Sequence, residues 1–189
     1  MWWTLKAMGA RNVGILDGGF QAYKHSGLPV HTDKDALAAP TPARFNAQLN
    51  TALIKTWHDV RANIGTKACT LLDARNAGRF AGTSPEPRKG LAGGHIPGSA
   101  NIPFDALLDS KTGLYKSDEQ LRALFAAAGV DEKRPVIASC GSGVTACVLL
   151  YGLHLLGRKD IALYDGSWSE WGLPALKLPV ATGAGAKQA

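Results

Sequence analysis

The sequence has no apolar run approaching the roughly 20 residues needed to span a bilayer, so no membrane segment is expected. Cysteine is scarce: Cys69, Cys140 and Cys147 are the only three in 189 residues. So small and odd a set builds no disulfide framework and suits a reducing compartment, with the cytoplasm as the expected location. The start, Met1-Trp2-Trp3-Thr4-Leu5-Lys6-Ala7-Met8-Gly9, has no basic leader, long apolar stretch or small-residue cleavage site, and does not read as a secretory signal. Basic residues outnumber acidic ones by 21 to 15, a formal net charge of +6. Yet no five basic residues run together and no aromatics interleave them, which argues against a nucleic-acid partner. The excess reads as a solvated basic surface, with a few arginines left over to hold an anionic substrate. What remains, 46% hydrophobic and 19% charged, is an ordinary globular composition, long enough for one well-packed domain with chain to spare.

That spare chain is a partial repeat. Residues 2–23 resemble residues 150–171 at one constant offset, the separation of Gly9 from Gly157. Apolar helical residues end at a glycine in both copies, Ala7-Met8-Gly9 and Leu155-Leu156-Gly157. A short strand is expected next, Val13 to Leu16 against Ile161 to Tyr164. Asp17-Gly18-Gly19-Phe20-Gln21-Ala22-Tyr23 then stands against Asp165-Gly166-Ser167-Trp168-Ser169-Glu170-Trp171. Similarity at a fixed offset signals duplicated units. The chain is expected to divide into the end of a first unit (1–32), a linker (33–51) containing Pro40-Thr41-Pro42, a complete unit (52–176) and a tail (177–189). If the repeat was once whole, about a hundred residues would precede Met1.

The complete unit alternates strands and helices. Thr56 can cap a helix from Trp57 to Ile64 that closes at Gly65. Cys69 to Asp73 reads as a buried strand, followed by a long loop rich in glycine and proline. Ser117 and Gln120 form a capping box before a helix from Leu121 to Ala128, ended by Gly129. A strand from Val136 to Ser139, a helix from Val144 to Leu156 and a strand from Ile161 to Tyr164 complete it. This order argues for an α/β fold, a parallel sheet flanked by helices on both faces. Ligands of such a sheet gather at the carboxyl ends of its strands, where Asp73 and Cys140 fall.

Cys140 opens the run Gly141-Ser142-Gly143-Val144-Thr145, between a buried-looking strand and an apolar helix. A loop of small residues at a helix N-terminus forms a cup of backbone N–H groups, and such a cup favours a thiolate, the reactive form of cysteine. Cys147 falls inside the following helix and Cys69 in a strand, so both read as packing residues.

The complete unit resembles a rhodanese domain, and the pair of units resembles the tandem-domain rhodaneses of the 3-mercaptopyruvate sulfurtransferase type. The matching pieces are Asp73-Ala74-Arg75, Gly78-Arg79-Phe80, Pro85-Glu86-Pro87-Arg88, Gly94-His95-Ile96-Pro97-Gly98-Ser99-Ala100-Asn101-Ile102-Pro103, the Cys140 loop and Asp165-Gly166-Ser167-Trp168. Several motifs in order make a far more specific signal than any one alone. The resemblance implies a sulfur shuttle in which Cys140 takes sulfur from a donor as a persulfide and yields it to a thiol acceptor such as thioredoxin, or to cyanide. The N–H groups of Gly141 to Thr145 would hold the anions, with the Ser142 and Thr145 hydroxyls as added donors, and neither metal nor cofactor is needed.

Thiosulfate-type relatives carry cations just after the cysteine. Here Gly141-Ser142-Gly143 is neutral, which favours 3-mercaptopyruvate over thiosulfate as donor. Arg79 and Arg88 match the family arginines that grip the donor's carboxylate and carbonyl. Arg75 either adds positive potential near the pocket or pairs with an acid. Asp73 orders its loop, and His95 is mainly a structural turn residue. Trp168 and Trp171 are expected to pack the end of the domain.

Two other functions are weighed. A dual-specificity phosphatase needs arginine six residues after the cysteine; Ala146 stands there and excludes it. A catalytically weak sulfur-binding module is the serious rival. The family has been proposed to pair Ser142 with a histidine and an aspartate of the first unit, and both would lie outside this sequence. Slow turnover is therefore expected rather than none.

Overall fold

The computed structural model describes residues 1–32, 44–131 and 133–184. Positions 33–43 of the expected linker, including Pro40-Thr41-Pro42, and positions 185–189 of the expected tail lie outside the described residues.

Five parallel strands form one sheet in the order β1-β5-β4-β2-β3. They are β1 (Ile54–Lys55), β2 (Thr70–Asp73), β3 (Ala100–Asn101), β4 (Val136–Ser139) and β5 (Ile161–Tyr164). All four residues of β2, β4 and β5 are buried, as strands covered on both faces must be. Alternate side chains feed two cores. Leu72, Val136, Ala138, Ile161 and Leu163 pack with α5 (Asp118–Ala127) and α6 (Ala146–Leu155). Leu71, Ile137 and Tyr164 meet Val60 of α3 (Trp57–Thr66) and Trp168 and Trp171 of α7 (Ser167–Trp171). The expected α/β sheet with helices on both faces is therefore what folds.

The N-terminal segment joins the first of these cores. Trp2, Trp3 and Ala7 of α1 (Trp2–Ala7) are buried there beside Leu150 and Tyr151, and the Trp2 ring meets Tyr151 edge-on with centroids 4.9 Å apart. A further helix, α2 (Gly19–His25), has no buried residue.

Three expectations need correction. Val13 to Leu16 is not a strand: these residues pair with no other strand, and Ile15 N–H instead donates to the Tyr151 hydroxyl at 3.4 Å. An isolated strand leaves its backbone groups without ladder partners, so the pattern alone does not create one. Gly65 does not close α3. The helix runs on to Thr66 and turns at Lys67 in the left-handed region (φ 50°), because the Asn63 side chain fixes the exit by bonding both Cys69 N–H (2.8 Å) and Cys69 C=O (3.0 Å). Finally, α6 begins at Ala146 rather than Val144, leaving two more loop residues next to Cys140.

The expected cap and capping box form, and Asp59 turns the first into a box as well. Thr56 with Asp59 starts α3, and Ser117 with Gln120 starts α5 at Asp118. The last short helix, α4 (Ala77–Ala81), is capped by the Asn76 side chain on Arg79 N–H and brings Arg79 to the sheet's carboxyl edge.

Candidate active site

Strands β2 and β4 end in register, Asp73 opposite Ser139, and Ala74 N–H donates to Ser139 C=O at 2.9 Å. That pairing sets Asp73-Ala74-Arg75 beside Cys140-Gly141. Helix α7 anchors the start of the loop: Cys140 N–H donates to Ser167 Oγ at 3.1 Å, and Cys140 C=O and Gly141 C=O accept from Trp168 N–H and Ser169 N–H, each at 2.9 Å.

These anchors aim the loop's amides. The peptide bonds of the described residues are trans, so in each peptide plane C=O and N–H point in opposite directions. With the carbonyls of Cys140 and Gly141 turned toward α7, the N–H groups of Gly141 and Ser142 turn away from it. No acceptor among the described residues takes the N–H of Gly141, Ser142, Gly143, Val144, Thr145 or Ala146, and the ladder resumes only where Cys147 N–H reaches Val144 C=O at 3.2 Å. The Ser142 and Thr145 hydroxyls also lack a protein partner among those residues. A row of open donors at a helix N-terminus is an anion cradle. Gly143 is held at φ +78°, and a Cβ on it would lie 2.9 Å from Asp165 Oδ1, so no other residue fits here without rebuilding the turn.

Cys140 lies at the floor of this loop and is only 1% exposed, packed with Leu72, Ala74 and Ala146. Val144 at the rim is 72% exposed. Cys147 lies seven residues on in the chain, its thiol donating to Gly143 C=O at 3.3 Å, and burial pushes its pKa up to about 11. Cys147 is held protonated, a packing residue as expected. Cys69 is half-buried just before β2, and burial raises its pKa as well.

The arginines form a chain joined by acids. Arg75 is fully buried and grips Asp73 through Nε and Nη2, the latter at 2.6 Å. It also donates to Glu86 Oε1 at 2.8 Å and Gly94 C=O at 2.8 Å, and its guanidinium lies 4.3 Å from the Trp168 ring centre. Of its two expected roles, pairing with an acid is the one observed. Asp73 orders the turn, accepting Arg75 N–H at 2.9 Å. Glu86 accepts Arg79 Nε and Nη2 on its other side, the closer contact at 2.6 Å. One edge of the Arg79 fork is thereby occupied, leaving Nη1 and the outer Nη2 hydrogen. A Cβ built on Gly141 would meet Arg79 Nη2 at 2.9 Å, so this guanidinium lies directly over the residue after Cys140. Arg88 reaches the same residue, with Nη1 3.4 Å from Gly141 C=O and in close contact with Ser169 Oγ.

His95 is buried away from the loop. Its ring stacks on Phe80 at 3.8 Å, Nδ1 contacts Phe80 C=O at 2.8 Å, and its backbone bridges Ala181 in both directions. Burial lowers its pKa, which keeps the ring neutral, as suits the structural role. Trp168 and Trp171 pack as expected, their indole N–H groups donating to Ala92 C=O and Pro179 C=O, each at 2.8 Å. Among the described residues no cluster of three or more histidine, cysteine or acidic side chains could hold a metal ion, and no helix is long and apolar enough to cross a membrane.

Sequence reasoning missed three residues. Glu86 stood inside a matched motif without a role, although an acid two residues before Arg88 in a basic stretch is a visible signal. Ser167 likewise stood inside a matched motif without a role, and Ser169 gave no signal, because a serine's value here depends on which loop its helix faces.

Residues 56–173 match the model of the rhodanese-like domain. The chain belongs to the rhodanese family. Over 171 residues it is 46% identical to human 3-mercaptopyruvate sulfurtransferase, covering 90% of this chain and 56% of that protein. It is 45% identical to rat thiosulfate sulfurtransferase over 172 residues, covering 90% and 57%. The crystal structure of SseA from Escherichia coli, described as a 3-mercaptopyruvate sulfotransferase, superposes with a TM-score of 0.73 at 36% identity, covering 89% of this chain and 61% of that one. This rhodanese chain thus spans little more than half the length of the curated relatives it matches.

Proposed function

We propose that this rhodanese is a sulfurtransferase that moves sulfur from 3-mercaptopyruvate to a thiophilic acceptor through a persulfide on Cys140. The observation that carries the reading is the convergence on Gly141: Arg79 lies over it and Arg88 reaches its carbonyl, one residue from the thiol and beside a row of open amides. A neutral loop next to paired cations suits a donor whose negative charge stands away from the sulfur being moved.

In the first step the Cys140 thiolate attacks the donor's sulfur. A sulfur–sulfur bond forms, the donor's carbon–sulfur bond breaks, and its electron pair enters the enolate of pyruvate, which takes up a proton. Open cationic donors of Arg79 at the carbonyl stabilise that enolate while Arg88 grips the remote carboxylate, and the loop amides stabilise the persulfide anion. In the second step an acceptor nucleophile, a thiolate or cyanide, attacks the outer sulfur and the Cys140 thiolate leaves. Thioredoxin, a small thiol or cyanide each supplies the nucleophile this step needs. Splitting the transfer in two is what a cysteine nucleophile contributes.

The burial of Cys140 favours a second reading, a weakly active sulfur-binding module, since a donor must displace part of the loop to reach the thiol. One experiment separates the two. Incubation with 3-mercaptopyruvate and a dithiol should release pyruvate and sulfide in equal amounts, and without the dithiol Cys140 should gain the mass of one sulfur atom. Cys140→Ser should abolish both signals. Absence of the added sulfur in the unaltered protein sinks the transferase reading. Faster loading from thiosulfate would replace the donor.

A further inference from the structure

We infer that Ser169 is a positioning residue that sets Arg88 for the donor's carboxylate, an inference that rests on the donor assignment above. Arg88 is exposed, in a stretch without helix or strand between Ser84 and Leu91. A long side chain in such a place samples many rotamers and must give them up to grip a ligand. Ser169 restricts it in advance. The Ser169 hydroxyl touches two groups, Arg88 Nη1 and Gly141 C=O, both at short range. A guanidinium can only donate and a carbonyl can only accept, so the direction of the relay is settled: Arg88 donates to Ser169 Oγ, and Ser169 Oγ–H donates to Gly141.

Ser169 is itself well fixed. It lies in α7 between the buried Trp168 and Trp171, and its own N–H holds the Gly141 carbonyl at 2.9 Å. Because that backbone bond does not involve the hydroxyl, the Cys140 loop keeps its anchor when the hydroxyl is removed. The hydroxyl is the closer of two ties between the arginine and the loop, since Arg88 Nη1 also lies 3.4 Å from Gly141 C=O. Its contribution is therefore expected in donor binding and not in the chemical step, as positioning of a remote ligand charge requires.

The test uses Ser169→Ala and Ser169→Thr with two readouts. In the alanine variant KM for 3-mercaptopyruvate should rise roughly three- to tenfold with kcat held, the loss of one aligned charged contact. Threonine, which restores a hydroxyl, should return KM to within about twofold. Independently of turnover, phenylglyoxal should modify Arg88 several-fold faster in the alanine variant, read by mass spectrometry of the Arg88 peptide. Unchanged labelling of Arg88 overturns the inference, and so does faster labelling with an unchanged KM. A wild-type protein that releases no pyruvate refutes the donor assignment instead, while the labelling still decides the tether.

Discussion

Residues 2–23 and 150–171 resemble one another in sequence and at several backbone positions, though not at Gly18 (φ +71°) and Gly166 (φ −55°), and they differ in what surrounds them. The preceding helices end at matching positions, α1 at Ala7 and α6 at Leu155. Gly9 and Gly157 turn through the left-handed region at φ +92° and +84°, and Gly19 and Ser167 do so again at +63° and +50°. Even the second aromatic behaves alike: Tyr23 Oη–H donates to Pro29 C=O, and Trp171 Nε1–H donates to Pro179 C=O. Yet Trp168 is 1% exposed and its counterpart Phe20 is 57% exposed. The later copy has β5 between β1 and β4 to deliver its turn onto the sheet. The earlier copy has no strand in that position. Local residues therefore specify only part of the turn, since Gly18 and Gly166 take φ of opposite sign, while burial and strand formation follow the neighbours that surround the later copy in the sheet.

The sharpest way to break the equivalence is Trp168→Ala. Its indole fills the second core, donates to Ala92 and covers the Arg75 guanidinium. Truncation should cost about 3–5 kcal/mol, the range for large aromatic residues in cores, read as a lower urea midpoint at unchanged slope. A cost under about 1 kcal/mol would mean that α7 does not pack as described. Ser167→Ala should come next. The Ser167 hydroxyl takes Cys140 N–H and gives to Tyr164 C=O at 2.8 Å, and its loss strands a buried N–H at a cost of about 1–3 kcal/mol. Gly19 has no side chain to do this work, so the anchor of the cysteine loop belongs to the later copy alone. Sulfur loading of Cys140 should slow in Ser167→Ala; unaltered loading would separate the anchor from the chemistry.

The same contrast shows what was legible from residues alone. Buried strands β4 and β5 were read to the residue, because three or four consecutive apolar positions between turn signals leave little choice. The Ser117–Gln120 capping box was visible because the two partners lie three residues apart in the chain, and Thr56 was visible as a cap, though its Asp59 partner was not. Val13 to Leu16 carried the same local signal as β5 and still formed no strand, since pairing is a long-range property. At the site, Cys140 and its small-residue loop were legible because the amide cup is built from consecutive residues. Glu86 between Arg75 and Arg79, and Ser169 between Arg88 and Gly141, were not: each acts across a gap that only the folded β2–β4 edge closes. The occupied edge of the Arg79 fork follows from the same contacts and could not have been deduced from a matched motif.

The smallest expected effect completes the comparison. Phe20→Ala makes the same kind of change as Trp168→Ala at the repeat-related position. Phe20 stacks on Tyr23 with ring centres 6.4 Å apart and carries the Lys24 ammonium 5.7 Å from its centre, but it contributes to neither core. Little apolar area leaves contact when the ring is removed, so stability should change by no more than about 0.5 kcal/mol. Denaturation measured at low and high protein concentration gives the check. A loss above about 2 kcal/mol that grows with concentration would mean that another surface covers Phe20 in solution. The two copies would then differ only in which chain supplies the cover, and the contrast between a buried turn and an exposed one would be lost.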